Sequence, residues 1–476
     1  MIPKRLLNSS AITGLQPGEN ILAIDFRPAT GQLYGLGSTS RIYVIDPASG
    51  TARAIGAGAF TPALVGTVAG FDFNPTVDRI RIVTSSGQNL RANPETGTIV
   101  ATDGTINGQP GAVVAGAAYT NSSAGATATT LYDIDASSDN LYIQNPPNNG
   151  TLALVGSLGL NIDDGGFDIA GTSDAFGMFT INGRSNLVAV NLTTGQANII
   201  NDYPATVSYR GLAIATTAIA YAVDATNNLL YLNPQKYYSA SDVSSIITKP
   251  ITGLAAGESV LGIDFRPLNG QLYALGSNSN IYSLNTASGA ATLVSALSIP
   301  LSGTSFGFDF NPLADRIRII SNTGQNLRFN PIDFSVLLDG NLNPGSPAIA
   351  AAAYSNNFAG TTSTTLYAID SASSQLVKIN PPNNGTIVPV GSLGIAISGV
   401  NGFDIGGTTG TAYTLFKAEN NRSRLYIINT TTGLAIGRGI IGMAGINGLA
   451  IGLGTSSLFR PIPGCHKYLL APLASN

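Results

Sequence analysis

Gly70-Phe-Asp-Phe-Asn-Pro75, Asp78-Arg-Ile-Arg-Ile82 and Gly87-Gln-Asn-Leu-Arg91 return in the same order as Gly307-Phe-Asp-Phe-Asn-Pro312, Asp315-Arg-Ile-Arg-Ile319 and Gly324-Gln-Asn-Leu-Arg328. The correspondence extends in both directions. Upstream, Ile21-Leu-Ala-Ile-Asp-Phe-Arg-Pro28 returns as Val260-Leu-Gly-Ile-Asp-Phe-Arg-Pro267. Downstream, Asn145-Pro-Pro-Asn-Asn-Gly150, Gly166-Phe-Asp-Ile169 and Gly211-Leu-Ala-Ile214 return at Asn380–Gly385, Gly402–Ile405 and Gly448–Ile451. Order and spacing are kept, so the chain is a whole-unit duplication, and internal repetition governs the fold.

A shorter period lies inside each half. Alternating runs such as Arg41-Ile-Tyr-Val-Ile-Asp46 read as strands. Many end in an Asx-x-x-(Ser/Thr)-Gly turn, as in Asp46–Gly50, Asn93–Gly97, Asn191–Gly195, Asn285–Gly289 and Asn429–Gly433. There the Asx side chain opens the turn by bonding the backbone, and glycine takes the positive-φ position that closes it. No segment carries a capped helical stripe. Units of four short strands, roughly 47 residues each, have the size of a propeller blade. The expected fold is all-β: two tandem β-propellers of about five blades each, with one ten-bladed ring as the alternative. The expected division is 1–233 for the first propeller, 234–243 for a linker and 244–476 for the second.

A ring of blades must join its first blade to its last, or an edge strand stays open. Two matching segments are suited to closing the rings. One is Ser10, Ala11, Ile12, Thr13, Gly14 and Leu15, and the other is Thr248-Lys-Pro250 running on into Ile251, Thr252, Gly253 and Leu254. Each is expected as an outer strand on a blade whose other strands come from the end of the same half, or as a strand lent to a neighbouring subunit. Pro461 and Pro463 make the last segment a poor central strand.

Composition narrows function. The 476 residues include 44% hydrophobic ones, enough for a core, but only 10% charged ones. The surface must therefore rely on Ser, Thr, Asn, Gln and Gly, which suits an extracellular or assembled protein. A net charge of −3 argues against electrostatic capture of nucleic acid or acidic membranes. No apolar run approaches a membrane span, so membrane insertion is not expected. The start carries Lys4 and Arg5 but no apolar stretch behind them, and a leader missing from the sequence is the expected explanation. Cys465 is the one cysteine and His466 the one histidine, which excludes an internal disulfide, a Cys/His zinc site and a C-x-x-C-H haem site. No triad with a G-x-S-x-G elbow can be assembled around a single terminal histidine.

The candidate chemistry is acidic and basic. Asp25, Asp72, Asp168, Asp264, Asp309 and Asp404 recur at one place in successive units. They read as a structural device, an aspartate bonded to the backbone of the next blade, because packing is needed in every unit and catalysis only once. A metal-dependent hydrolase using them around an axis is the more remote reading. Asp78-Arg79 with Arg81, and Asp315-Arg316 with Arg318, read as ion pairs anchoring blade edges, with an anion site as the alternative. Asp163-Asp164-Gly165 and Asp135–Asn140 carry calcium-type oxygen ligands without the spacing of a complete loop, and read as polar turns.

The strings Gly307–Ile319, Gly324–Arg328 and Asn380–Gly385 resemble an uncharacterised bacterial family, a domain of unknown function, and the first half carries the same motifs. The resemblance implies a propeller-like fold and export, with no activity to carry over. The expected function is a non-enzymatic extracellular or cell-surface structural protein, a subunit of a surface layer, matrix or filament assembled from copies of itself. A secreted propeller that binds a glycan or small ligand is the alternative. No catalytic residue, metal or cofactor is expected.

Overall fold

The computed structural model describes residues 9–66, 69–239, 242, 246–397, 400–417, 422–442, 445–454 and 468–472. Among them are strands and two single-turn 3-10 segments, Pro147–Asn149 and Pro382–Asn384, and no α-helix. Nearly all strands belong to four-stranded antiparallel sheets. Each sheet follows from the pattern read above. In Asp46–Gly50, Asp46 Oδ1 accepts the Ala48 N–H at 2.9 Å, and the Gly50 N–H returns to the Asp46 carbonyl at 2.8 Å. Gly50 sits at φ 77°, where a β-carbon would be strained.

The chain forms two compact units, dividing after Thr217 and again after Leu458. In the first unit, the sheets begin with Ile21–Phe26, Ala69–Asn74, Val114–Tyr119, Asp164–Ala170 and Tyr209–Ile214. These first strands pack in a closed cycle, each against the next and the fifth against the first. In the second unit Val260–Phe265, Phe306–Asn311, Ile349–Tyr354, Val400–Ile405 and Asn447–Ile451 do the same. The cycles are separate, which sets aside a single ring of ten. Cores lie between adjacent sheets: Tyr34, Leu36 and Ile42 of one sheet meet Phe71, Phe73 and Ile80 of the next.

The fifth sheets depart from expectation. In the second unit Asn447–Ile451 pairs with Ala220–Val223, which pairs with Asn228–Leu232, which pairs with Ile247–Pro250. Three of the four strands thus come from the middle of the chain and one from the end of the second half. The expected boundary of 233/244 therefore moves: residues 218–232, placed with the first unit by sequence order, pack in the second. The physical reason is burial, since Ala220, Tyr221, Ala222 and Val223 are all enclosed opposite Ile451, Ala450 and Leu449. In the first unit Tyr209–Ile214 pairs with Tyr468–Pro472, beyond the two prolines.

Of the segment Thr248–Leu254, Thr248–Pro250 belongs to the outer strand Ile247–Pro250 of the second unit's fifth sheet, while Ile251–Leu254 and Ser10–Leu15 lie outside the strands. Thr13 and Thr252 form parallel bridges to Thr51 and Ala290. The Thr13 N–H donates to the Gly50 carbonyl at 3.0 Å, and the Ala52 N–H donates to the Thr13 carbonyl at 2.8 Å. Thr252 repeats this with Gly289 and Ala291, at 3.2 and 2.7 Å. Asn107 and Asn343 do the same on later sheets, at the glycines that end the Asn-Pro-Pro-Asn-Asn-Gly segments. Each latch clips the approach to one sheet onto the last turn of that sheet. The same latch therefore occurs at four sheets among the described residues, the first and third of each unit.

Candidate functional site

Three aspartates meet in each unit. Asp25, Asp72 and Asp168 lie on the first strands of sheets one, two and four, and Asp264, Asp309 and Asp404 on the corresponding strands of the second unit. All six are buried. Within each triad, one carboxylate oxygen from each residue lies within 4.8 Å of the others. Asp25, Asp168 and Asp404 each accept the N–H of the following residue, Phe26, Ile169 and Ile405, and all six also bond the next sheet. Asp25 Oδ2 accepts the Phe73 N–H at 2.9 Å, Asp72 Oδ1 accepts the Tyr119 N–H at 3.1 Å and Asp168 Oδ2 accepts the Ile214 N–H at 2.5 Å. Asp264, Asp309 and Asp404 repeat these bonds with Phe310, Tyr354 and Ile451.

Each donor lies one residue past the place in its strand that corresponds to the aspartate. The equivalent positions in sheets three and five are thereby Ala118 and Ala213, and Ala353 and Ala450 in the second unit. Burial, then neighbouring carboxylates, push Asp25, Asp72, Asp264 and Asp309 well above the usual carboxylate range. Burial pushes Asp168 and Asp404 up to about 7, against the pull of their backbone donors. The sequence reading of these residues as separate blade-to-blade acceptors lacks their convergence, because sequence shows recurrence along the chain but not distance across a ring.

The duplicated motifs form one clamp between sheets two and three. Arg81 of Asp78–Ile82 donates from Nη1 to Asn89 Oδ1 at 2.7 Å and Asp103 Oδ2 at 2.6 Å, and from Nη2 to Asn148 Oδ1 at 2.8 Å. Arg91 grips Asp103 with two bonds of 2.7 and 2.9 Å. Arg318, Asn326, Arg328, Asp339 and Asn383 reproduce the clamp. Asp78 turns away from it and meets the buried Arg27 at 2.5 Å, and Glu95 pairs with the same guanidinium. Asp315 pairs with Arg266, while Ile332 stands where Glu95 stands in the first half. Arg79 and Arg316 bond local carbonyls. Asp103 and Asp339, the clamp acceptors, and Glu95, the second partner of Arg27, are marked by no motif, although Asp103 and Asp339 hold matching places in the duplication.

Asp133 is likewise unmarked in the sequence. It is completely buried, and neither carboxylate oxygen has a hydrogen-bond partner among the described residues. Burial pushes it up to about 8, with Arg81 pulling the other way. The duplication carries Ala368 at this position. Of the calcium-type stretches, Asp135–Asn140 is a satisfied turn, with Asp135 accepting from Val113, Ser137 and Ser138, whereas Asp164-Gly165, expected as a turn, opens the strand Asp164–Ala170, where Asp164 accepts the Gly165 N–H. Cys465 and His466 lie outside the described residues.

No curated protein matches the chain. Among solved structures, a Bacteroides thetaiotaomicron structural-genomics protein of unknown function is similar over 85% of this chain and 96% of its own, at 10% identity and a TM-score of 0.27. The structure of U3-55K aligns over 85% of this chain and 89% of its own, at 10% identity and a TM-score of 0.29. Those scores carry no argument about this chain. A family profile does: the domain of unknown function DUF4394 matches twice, over residues 2–213 and 235–450, once per copy of the duplicated motifs. The chain belongs to the DUF4394 family.

Proposed function

We propose that each unit is a five-bladed β-propeller and that the chain is a non-enzymatic, extracellular structural subunit that assembles with copies of itself. The closed cycle of first strands supports the propeller reading. The observation that carries the function is at the opposite end of each sheet. Fourth strands have a ladder partner on one side only among the described residues, the outer side being bonded at isolated points such as Asn107–Thr151 and Tyr238–Gly439, and they expose large aliphatic side chains: Val100, Leu154 and Ile199 in the first unit, Leu293, Leu337 and Ile436 in the second. Leu154 is 63% exposed and Ile436 57%. A monomeric protein ordinarily blunts such edges with charge, because an open apolar edge strand recruits another chain. With 10% charged residues overall, this chain does little blunting.

Strand addition at these edges gives contacts between copies, and a head-to-tail arrangement of them gives fibres or sheets. Ser10–Leu15 bonds its own unit in the structure, so edge-to-edge pairing is the favoured route over donation of that segment. Electron microscopy with light scattering on the native protein tests the proposal. Regular assemblies are expected, dispersed by Leu154→Lys with Leu293→Lys while the circular dichroism spectrum is kept. A monodisperse particle of one chain mass across all concentrations would remove it.

A second reading, binding of a small anionic ligand or glycan, rests on a cavity lined by Arg316, Arg318, Arg328, Tyr354 and Asn383. Three guanidinium groups stand there, and Arg318 and Arg328 share the single carboxylate of Asp339.

A further inference from the structure

We infer that each aspartate triad holds one hard divalent cation of the calcium class, which ties three of the five first strands of its unit together. The dimensions fit. Calcium binds carboxylate oxygens at about 2.4 Å, so oxygens on opposite sides of one ion stand about 4.8 Å apart. The three carboxylates of each triad fall within that span.

Charge gives the second argument. Three carboxylates are enclosed together, and the charges acting on Asp309 are those of Asp264 and Asp404. No lysine or arginine is among them. Enclosed charge of one sign must be compensated by protons or by a cation. The alanines at the two remaining positions, Ala353 and Ala450, bring no side-chain donor.

The third argument is an unmet acceptor. In the second unit Asp309 Oδ2 is buried with no hydrogen-bond partner among the described residues. In the second unit a cavity of about 60 Å³, room for about two waters, opens on Ile263, Phe308 and Phe403, the residues that immediately precede the three aspartates, while the aspartates themselves stay outside its lining. The duplication repeats all three aspartates and both alanines, yet it drops the lone buried Asp133. The triad therefore recurs as a set. Complete burial of all three carboxylates suits a structural ion rather than one that meets a substrate.

Native mass spectrometry of the full chain, stripped with chelator and then given about 1 mM Ca²⁺, tests this. The expected result is two ions per chain, one in Asp309→Asn and none in Asp72→Asn with Asp309→Asn. Calcium should raise the melting temperature of the unsubstituted protein by about 5 °C and leave the doubly substituted one unmoved. If the substituted chains do not fold, calorimetric titration of the unsubstituted chain decides, with a stoichiometry of two expected. A stripped chain that takes up no calcium and melts at the same temperature with and without it would overturn the inference, leaving protons as the compensating charge.

Discussion

Replacing Asp133 with alanine should stabilise the first unit, and the gain should grow with pH. The carboxyl is fully enclosed, neither oxygen is partnered, and its pKa is pushed up to about 8 by burial. In the unfolded chain the same group titrates near about 3.9. The folded protein therefore holds a proton that the unfolded chain releases, and stability falls as pH rises from about 4 to about 8, then levels off. About four pH units of linkage set a ceiling of about 5 kcal/mol. Unpartnered buried polar groups in proteins cost about 1–3 kcal/mol, which is the expected gain at pH 8. At pH 5 the carboxyl is protonated, so only the cost of an unpartnered neutral group remains and the gain should be smaller than at pH 8. Ala368 occupies the same place in the second unit, so the substitution copies a packing arrangement the fold already uses. Urea unfolding of both proteins at pH 5, 6, 7, 8 and 9 measures the difference, in which the titration of every other group cancels. A gain that does not change with pH, or a less stable variant at pH 8, would refute the reasoning.

Arg81→Met should cost the first unit about 1–3 kcal/mol, because Asn89 and Asn148 lose a buried donor while Asp103 keeps Arg91; Arg318→Met should do the same to the second unit, where Asp339 keeps Arg328, each read from the midpoint of denaturant unfolding. Deleting the strand Tyr468–Pro472 strips the ladder from Tyr209–Ile214; hydrogen exchange should then accelerate at Gly211–Ile214 and stay slow at Leu449–Ile451. Thr252→Pro removes the N–H that bonds the Gly289 carbonyl, and should lower the stability of the second unit by about 1 kcal/mol or more, while leaving the first unit's transition in place.

Most of the sheet architecture is legible in the sequence because it is local. Asp46–Gly50 and its relatives specify hairpins from residues four apart, and alternation in Arg41–Ile45 specifies which side faces a core. Pairing in the fifth sheets is not local. Ala220–Val223 reads equally well as a strand beside Tyr209–Ile214, its neighbour in sequence, and its partner Asn447–Ile451 lies in the other half of the chain. Only packing of enclosed side chains selects between them. The candidate sites divide in the same way. Arg81 and Arg318 are readable as clamp residues, but their carboxylate partners stand in stretches without a motif. The six aspartates are found by recurrence; their convergence needs the closed cycle of strands. The family matches end near Ala213 and Ala450, and the closing strands Ala220–Val223 and Tyr468–Pro472 begin after them. The strands that join last sheet to first therefore carry none of the duplicated motifs from which the rest is read.

The nesting of one unit within the sequence of the other reverses the order of assembly during synthesis. Everything the second unit needs, from Ala220 to Ile451, is contiguous and available once that stretch has left the ribosome. The first unit, although translated first, waits for Tyr468–Pro472 to complete the pairing of its fifth sheet. The chain therefore leaves the fifth sheet of its first unit without a ladder partner until Tyr468–Pro472 is made, and a ribosome that stalls between Ile451 and Tyr468 would release a complete second unit attached to a first one whose fifth sheet lacks its paired strand.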